Sequence, residues 1–338
     1  MDKAKFDELK NILGSLRVYE DEPLSRHTYF KIGGPAKLFF EAKNTDDFVL
    51  AMQSACRLKI PFVILGGGAN ILISDKGYDG LVIKNRTDGV KLVGFKGTLG
   101  KDGTGIKEAL VWAASGTLMN RVARFSIDQG LEGLEFLLSV PGTVGGGLKI
   151  NSHFEVEKNE FIGNSLVQAT LFDPANSELK KVDRAYFKFA YDFSIIQKTK
   201  EIVIDATFRV KNAKDKTALW QKATDDVKRR NSEQPVGVAC SGCIFQNISQ
   251  SDAIRLRTPN TTTSAGYIID SLGLKGKSMG GAQISTIHAN YILNTGNATA
   301  SDVCNLIGLI KQNAKKAYNL DLKEEIFFIG EFNGEASN

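Results

Sequence analysis

The sequence predicts an α+β protein, with helices and strands mixed along the whole chain. Helix-like and strand-like patterns alternate from about residue 20 onward, glycine-rich turns follow strands, and an amphipathic helix stands near the end. The chain has 338 residues, of which 42% are hydrophobic and 24% charged, which is enough for two or three compact domains. We expect three domains: 1–85, 86–212 and 213–338.

The first predicted domain alternates helix and strand. Charged and apolar residues recur at helical spacing in "MDKAKFDELKNILGSL", which predicts a short amphipathic helix. The elements expected after it are a strand "AKLFFEAK" (36–43), a helix "TDDFVLAMQSACRLKI" (45–60) with Thr45 as its N-cap, and strands "PFVILGGG" (61–68) and "GLVIKN" (80–85).

The second and third predicted domains continue the mixture. Expected in the second are a hairpin "VKLVGFKGTLGKDGTG" (90–105), a helix "EALVWAASGTLMNRVARFSIDQG" (108–130), a glycine-dense segment (139–147), and strands "SLVQATLFD" (165–173) and "EIVIDATFRV" (201–210). Expected in the third are a helix "KTALWQKATDDVKRRN" (216–231), short strands, and a late helix "ASDVCNLIGLIKQNAKKAYN" (300–319).

Composition disfavours two classes of partner. The formal net charge is +5, but Lys and Arg are scattered among acidic residues, which is not typical of a nucleic-acid-binding surface. The first residues lack the apolar core of a signal peptide, and no run approaches the roughly 18 apolar residues of a membrane span. We therefore predict a cytoplasmic protein that binds neither nucleic acid nor membrane.

The four cysteines do not indicate a metal site or a disulfide scaffold. Cys56 and Cys304 lie in helical patterns, where we expect small buried apolar residues. A zinc site at Cys240 and Cys243 needs two further ligands, and a thioredoxin-like motif should open a helix, whereas Ile244-Phe245 is typical of a strand. The three histidines are isolated in the sequence: His27, His153 and His288. We predict no metal, and a hydrogen-bonded structural role for His288.

Two glycine loops suit a phosphate-bearing ligand. "ILGGGANILISD" (64–75) follows an apolar strand, and "SVPGTVGGG" (139–147) is a second such loop, so backbone N–H groups can approach a ligand closely. The first loop is not the dinucleotide fingerprint, because Ile71 stands where its last glycine would be. A third segment, "GLKGKS" (273–278), is not a P-loop, because Ser271 replaces the first glycine of that motif.

Together these segments resemble the UDP-N-acetylenolpyruvoylglucosamine reductase family over about residues 20–330. Seven motifs match in the same order: "HTYFKIGGPA" (27–36), "ILGGGANILISD" (64–75), "GLEGLEFLLSVPGTVGGG" (130–147), "CIFQN" (243–247), "SAGYIIDSLGLKG" (264–276), "STIHANYILN" (285–294) and "EEIFFIG" (324–330). The resemblance implies an FAD-binding region of two α/β subdomains, of the PCMH/VAO-like type, followed by an α+β substrate-binding domain.

The resemblance also implies a reaction and a cofactor site. NADPH supplies a hydride that FAD carries to the enolpyruvyl group of UDP-N-acetylglucosamine enolpyruvate, while an acid of the protein protonates the adjacent carbon. The residues implied to hold FAD are Gly66, Gly67, Gly68, Ala69, Asn70, Pro141, Gly142, Thr143, Gly145, Gly146 and Asn151. Neither loop has a Cys or His placed to attach the flavin, apart from the neighbouring His153, so we expect non-covalent FAD in a monomeric enzyme.

The remaining site residues follow from motif positions. Cys243 stands where the family usually has a serine acid, and a thiol, with a reference pKa of about 8.5, is at least as plausible a proton donor as a hydroxyl. Glu325 matches the glutamate that assists at the enol intermediate. The positions implied to bind substrate are Tyr191, Asn247, Lys275 and Gln283.

Departures from the family pattern leave alternatives open. Asp192, counted among the catalytic positions, replaces an arginine that would neutralise the substrate carboxylate, and Glu233 replaces a common lysine. Ser152-His153-Phe154 stands where small residues are usual, and the compensating bases considered are Arg229, Arg230 and Lys149. The competing hypotheses are an FAD-dependent oxidoreductase of the same fold with a different substrate, and a catalytically silent flavoprotein.

Overall fold

The computed structural model describes residues 3–97 and 106–332, and these form two compact units. The first unit comprises residues 1–20, 38–67 and 80–230, and the second comprises 21–37, 68–79 and 231–338. Within the described residues, no helix has the length and apolar character of a membrane span. The predicted boundaries near residues 85 and 212 remain predictions.

The first unit begins with two helices that cover one face of a sheet. The helices are Lys3–Leu13 and Thr45–Leu58, and the sheet runs in the order Val18–Pro23, Pro35–Ala42, Tyr78–Asn85, Phe62–Leu65. The predicted elements here are confirmed, but the N-cap is wrong. Asn44 caps the second helix, because its side-chain oxygen accepts a hydrogen bond from the Asp47 backbone N–H at 2.8 Å.

A six-stranded antiparallel sheet forms the rest of the first unit's framework. Its strand order is Glu178–Asp183, Leu166–Asp173, Ile202–Asn212, Ile106–Ala114 and Val90–Gly97, with Leu131–Glu132 also pairing to Ile202–Asn212. The helices of this part are Met119–Asp128, Val144–Ile150, Ile162–Ser165, Ile196–Thr199 and Lys216–Glu233. The predicted strands at 165–173 and 201–210 and the helix at 216–231 are confirmed, and the hairpin tip at 98–105 lies outside the described residues.

The helix predicted at 108–130 is wrong in its first half. Residues Ile106–Ala114 form a strand between two others, and a helix begins only at Met119. Alternate side chains of this strand, including Val111, are buried, so the apolar run has the period of a strand. At Gly116 a Cβ atom would lie 2.4 Å from the carbonyl oxygen of Thr87, so the chain turns where only glycine fits.

The second unit contains a small antiparallel sheet and a long helix. The sheet runs Ala239–Cys243, Tyr291–Asn294, Ala282–Ile284, Ser278–Met279, and Phe327–Ile329 pairs in parallel with Ile71–Ile73. The helices are Gln250–Leu256, Ala265–Ser271 and Ala300–Tyr318, and the last one confirms the late helix. The segment 273–278 is followed by the strand Ala282–Ile284, whereas a P-loop is followed by a helix.

The cysteine-bearing strand ends earlier than predicted. It stops at Cys243, and Ile244-Phe245 lies beyond it, with Phe245 forming one isolated bridge to Glu324. Cys56 and Cys304 lie in helices as predicted, but both are only partly buried. His288 is hydrogen-bonded as predicted, since its Nδ1 accepts from the Asn290 backbone N–H at 3.3 Å. No group of three His, Cys, Asp or Glu side chains among the described residues could hold a metal ion.

Candidate active site

The two glycine loops meet within the first unit. A Cβ atom on Gly66 would lie 2.6 Å from Thr143 Oγ1, and one on Gly67 would lie 2.8 Å from the Gly142 Cα atom. The approach of the Gly142 main chain therefore requires glycine at position 67, whereas a side chain at position 66 would displace the Thr143 hydroxyl. The result is a stretch of main chain without side chains, which fits a diphosphate that must approach backbone closely.

The second loop is hydrogen-bonded to the turn at residues 115–117, which follows the strand Ile106–Ala114. Val144 N–H donates to the Thr117 carbonyl at 3.0 Å, and Gly145 N–H donates to the Ser115 carbonyl at 2.8 Å. These two N–H groups are thus committed to the protein and are not available to a phosphate. They fix the start of the helix Val144–Ile150 instead.

Lys84, which the sequence analysis did not name, contacts the first glycine loop. It lies in the strand "GLVIKN", its side chain is buried, and its Nζ donates to the carbonyl oxygen of Gly66 at 2.7 Å. A buried ammonium group beside the first glycine loop favours an anionic ligand there. The signal available in the sequence was a single lysine within an apolar strand. The parallel pairing of that strand with Phe62–Leu65 sets Lys84 beside Leu65, at the start of the loop.

Asn151 joins the helix after the second loop to a distant turn. It has a left-handed backbone (φ 52°) at the end of the helix Val144–Ile150. Its amide nitrogen donates to the Ala190 carbonyl at 3.0 Å, and its amide oxygen accepts from the Gly163 N–H at 3.1 Å. The nitrogen end of this side chain therefore positions the turn that carries Tyr191, and the oxygen end holds the short helix Ile162–Ser165.

That turn brings two departures from the family pattern together. Ala190 and Phe193 pair across it, with Tyr191 and Asp192 at its tip, and Asp192 has a left-handed backbone (φ 50°). His153 Nδ1 lies 3.6 Å from Asp192 Oδ1. Nothing in the motif pattern predicted that these two residues are neighbours.

Burial sets the charge states of this pair. It raises the pKa of Asp192 to about 7, opposed by an interaction with Tyr191, and it lowers the pKa of His153 to about 4, assisted by the positive charge of Arg230. Arg229, considered as a compensating base, already pairs with Glu155 and, at 3.3 Å, with Asp226.

In the second unit, the backbone fixes the position of Cys243. The strand Ala239–Cys243 carries a bulge between Cys240 and Cys243, where Gly242 adopts a left-handed φ of 83°. Beyond the bulge, the buried side chain of Asn290 accepts from the Phe245 N–H at 2.9 Å and donates to the Phe245 carbonyl at 2.8 Å. Asn290, within "STIHANYILN", is a second residue whose role the sequence analysis missed.

Glu325 lies beside the segment that follows Cys243. Its N–H donates to the Ile244 carbonyl at 2.8 Å, and the Gln246 N–H donates to the Lys323 carbonyl at 2.9 Å. Two positions that are distant in the sequence, predicted to hold an acid and an assisting glutamate, are thus brought together by main-chain hydrogen bonds.

The end of the first glycine loop supports this segment. The amide nitrogen of Asn70 donates to the Glu325 carbonyl at 3.2 Å, and the Asn70 carbonyl accepts from the Phe327 N–H at 3.1 Å. Gly68 has a φ of 77°, and its Cβ atom would lie 2.5 Å from the His27 carbonyl. Asn70 and Gly68 therefore both pack against or bond to main chain of the second unit. Ala69 between them is partly buried.

The other predicted substrate-binding residues make local contacts. The Oδ1 of Asn247 accepts from the Ala265 N–H at 3.3 Å, at the start of a helix. Lys275 pairs with Asp270 at 2.7 Å, and the amide nitrogen of Gln283 donates to the Gly276 carbonyl at 3.2 Å. Their roles toward a ligand remain predictions, as do those of Pro141 and Gly146 in the second loop.

Comparison with known proteins identifies the family. Residues 36–183 match the FAD binding domain model, and residues 234–329 match the C-terminal domain model of UDP-N-acetylenolpyruvoylglucosamine reductase. The enzyme of that name from Synechococcus sp. (strain RCC307) is 33% identical over 95% of this chain and 97% of its own. The one from Listeria welshimeri is 33% identical over 92% of this chain and 95% of its own.

A solved structure gives the same result. The crystal structure of the reductase from Thermus caldophilus matches with a TM-score of 0.70 and 26% identity, covering 93% of this chain and 99% of that one. The predicted α+β class and the predicted FAD-binding region are confirmed. The chain belongs to the UDP-N-acetylenolpyruvoylglucosamine reductase family.

Proposed function

We propose that this chain is an FAD-containing, NADPH-dependent reductase that converts UDP-N-acetylglucosamine enolpyruvate to UDP-N-acetylmuramate in peptidoglycan precursor synthesis. The observation that carries the proposal is the 33% identity to a named reductase over 95% of the chain. The match spans both the cofactor-binding region and the C-terminal domain, so both parts that the reaction needs are present.

The residues of the first unit fit the cofactor. The side-chain-free main chain at Gly66, Gly67 and Gly142 suits the FAD diphosphate, and the buried ammonium group of Lys84 stabilises negative charge beside it. When bound, FAD supplies hydride transfer between NADPH and the enolpyruvyl group. We expect it to be non-covalent, and flavin that stays with the polypeptide after acid precipitation would contradict this.

The residues of the second unit supply the proton chemistry. Cys243 is proposed to hold the proton delivered to the carbon next to the one that receives the hydride, since it stands at the acid position. Glu325 is proposed to stabilise the enol that precedes protonation, and Asn247 to orient the substrate. Support comes from the main-chain hydrogen bond between Glu325 and Ile244, the residue that follows Cys243.

The test is a steady-state assay with product identification. The purified protein should oxidise NADPH only when UDP-N-acetylglucosamine enolpyruvate is added, with one UDP-N-acetylmuramate formed per NADPH consumed. NADPH oxidation without that product, or with other enol ethers only, would favour the alternative of a different substrate. This alternative is favoured by Asp192, which stands where the family usually has an arginine.

Two further expectations concern the location and the oligomeric state of the enzyme. We expect it to act in the cytoplasm, where NADPH and nucleotide sugars are available, and to act as a monomer. Sedimentation analysis of the FAD-loaded protein, across a range of concentrations, checks the second point.

A further inference from the structure

Asn290 holds the segment that follows Cys243, the proposed acid, through three hydrogen bonds. Its carbonyl oxygen accepts from the Ile244 N–H at 2.8 Å, and its side-chain amide makes the two bonds to the main chain of Phe245. The next residue, Tyr291, pairs with Cys243 itself across the two strands. The position of Asn290 therefore determines the course of the main chain that presents Cys243.

His288 in turn holds the main chain of Asn290. Its Nδ1 accepts a hydrogen bond from the Asn290 N–H at 3.3 Å. Because an N–H group can only donate, Nδ1 carries no proton, and the ring is neutral with its proton on Nε2. Asn290 is only 2% exposed, so a proton on Nδ1 would remove the acceptor of a buried N–H group.

Three contacts fix the position of the imidazole ring. A Cβ atom on Gly266 would lie 2.7 Å from the Cε1 atom of His288, so the ring packs closely against the main chain there. The ring centroid lies 5.1 Å from that of Tyr291, in an edge-on arrangement at 73°. The Ser285 hydroxyl accepts from the His288 N–H at 3.3 Å. These contacts hold Nδ1 toward Asn290.

The surroundings of the ring favour its neutral form. Burial and the positive charge of Lys275 lower the pKa of His288, opposed by a main-chain hydrogen bond and by the negative charge of Glu233. Asp270 pairs with Lys275 at 2.7 Å. The elements that pack against the ring carry three further titratable groups: Tyr267, Asp270 and Tyr291. Nδ1 is therefore an acceptor at neutral pH, and this acceptor is lost as the pH falls through the lowered pKa of His288.

We propose that His288 is a positioning residue for the protonation step, because its neutral ring holds Asn290 and, through Asn290, the main chain that presents Cys243. The inference rests on the proposed function and adds one residue to it. The step that consumes NADPH does not use Cys243. Only the step that consumes the enolpyruvyl substrate should therefore depend on His288.

Two substitutions separate the acceptor from the rest of the ring. In His288→Asn, the side-chain oxygen takes the place of Nδ1 and accepts from the N–H two residues on, a bond that asparagine commonly makes. In His288→Gln, the amide lies near the place of Nε2, and no acceptor takes the place of Nδ1. Neither amide titrates, so both variants lack any pH dependence that belongs to His288.

The experiment is anaerobic stopped-flow absorbance on the FAD-loaded wild type and both variants, from about pH 5 to pH 8. The first mixing step adds NADPH. The second adds a saturating concentration of UDP-N-acetylglucosamine enolpyruvate to the reduced protein, so that the two steps are timed separately. The flavin content and the rate of the NADPH step show for each variant that the fold is intact.

The two variants should differ only in the second step. At about pH 8, His288→Gln should slow it about tenfold, which is the scale of one lost hydrogen bond, and His288→Asn should stay within about twofold of the wild type. As the pH falls below about 6.5, the ordinary pKa of histidine, the wild-type rate should fall relative to that of His288→Asn. The NADPH step should change less than about twofold in either variant.

Three results would overturn the proposal and leave the proposed function intact: His288→Asn as slow as His288→Gln, His288→Gln as fast as the wild type, or a ratio of wild-type to His288→Asn rates that does not change with pH. An NADPH step slowed as much as the second step also overturns it, since His288 would then support the fold in general. A wild type that the enolpyruvyl substrate does not reoxidise at any pH contradicts both.

Discussion

The segment after Cys243 and the turn at Asp192 satisfy their polar groups in opposite ways. Around Cys243, the buried amide of Asn290 makes two hydrogen bonds to the backbone of Phe245, and Ile244 bonds to Glu325. At Asp192, the buried carboxyl oxygens have no well-aligned partner in the described residues.

The two regions therefore differ in how their buried polar groups contribute to stability. A segment whose main chain is hydrogen-bonded to neighbouring elements, as at Ile244 and Phe245, has its geometry fixed by the fold. A buried polar group left unpaired lowers the free energy of unfolding. Substitutions in the two regions should therefore have opposite effects on stability.

The largest expected effect is at Asp192. Its pKa is raised in the folded protein, so the wild type loses stability relative to Asp192→Asn as the pH rises from about 4 to about 7, and the difference then stays constant. A pKa of about 7 against the ordinary 3.8 corresponds to roughly 4 kcal/mol. Urea unfolding at several pH values measures it. Equal pH dependence in both proteins would show that ionisation of Asp192 does not lower the free energy of unfolding.

Asn290→Ala should act in the opposite direction. Removing the amide leaves the buried N–H and C=O of Phe245 unsatisfied, with an expected loss of about 3 kcal/mol at every pH. Urea unfolding under the same conditions provides the comparison. A loss below about 1 kcal/mol would mean that water replaces the amide and that this segment is less fixed than proposed.

Cys243→Ala should spare stability and remove catalysis. Without the acid, turnover should fall by about 100-fold or more, which is the usual scale for a positioned proton donor, while Cys243→Ser keeps most activity. Loss of visible absorbance on anaerobic NADPH addition should be unchanged, since that step does not use the acid. The control is Cys240→Ala, which should behave as wild type. If it is equally impaired, or if the protein carries stoichiometric zinc, the two cysteines act as a unit.

Gly67→Ala should weaken FAD binding by roughly tenfold or more, because its Cβ atom would lie 2.8 Å from Gly142 and push the loops apart. Fluorescence titration of flavin-stripped protein measures the affinity. Gly308→Ala is the matched control, since no atom within 4 Å opposes its Cβ. Unchanged affinity in Gly67→Ala would show that the contact between the loops is not needed for the cofactor.

Much of this fold follows from the local sequence pattern, and the errors in the predicted elements have local causes. Strand and helix periods are clear wherever one face is buried, as in Leu166–Asp173 and Ala300–Tyr318. The strand Ile106–Ala114 was mistaken for a helix because its buried face carries alanine, which favours helices, and because pairing on both sides overrides that preference.

The site was only partly predictable. Ordered motifs place Cys243, Glu325 and the glycine loops, because these lie in continuous segments. The adjacency of His153 and Asp192 depends on the tertiary course of the chain, and neither motif contains information on the other. Lys84 and Asn290 act on main-chain atoms, so their roles become visible only when the hydrogen bonds are known.

The most direct test of the proposed reaction is an anaerobic titration of the FAD-loaded protein in two steps. The visible absorbance of the cofactor should fall on addition of one equivalent of NADPH. It should return on addition of one equivalent of UDP-N-acetylglucosamine enolpyruvate, with UDP-N-acetylmuramate as the product. Absorbance that NADPH does not change, or that the enolpyruvyl substrate does not restore, would contradict the assignment of this chain as an active reductase.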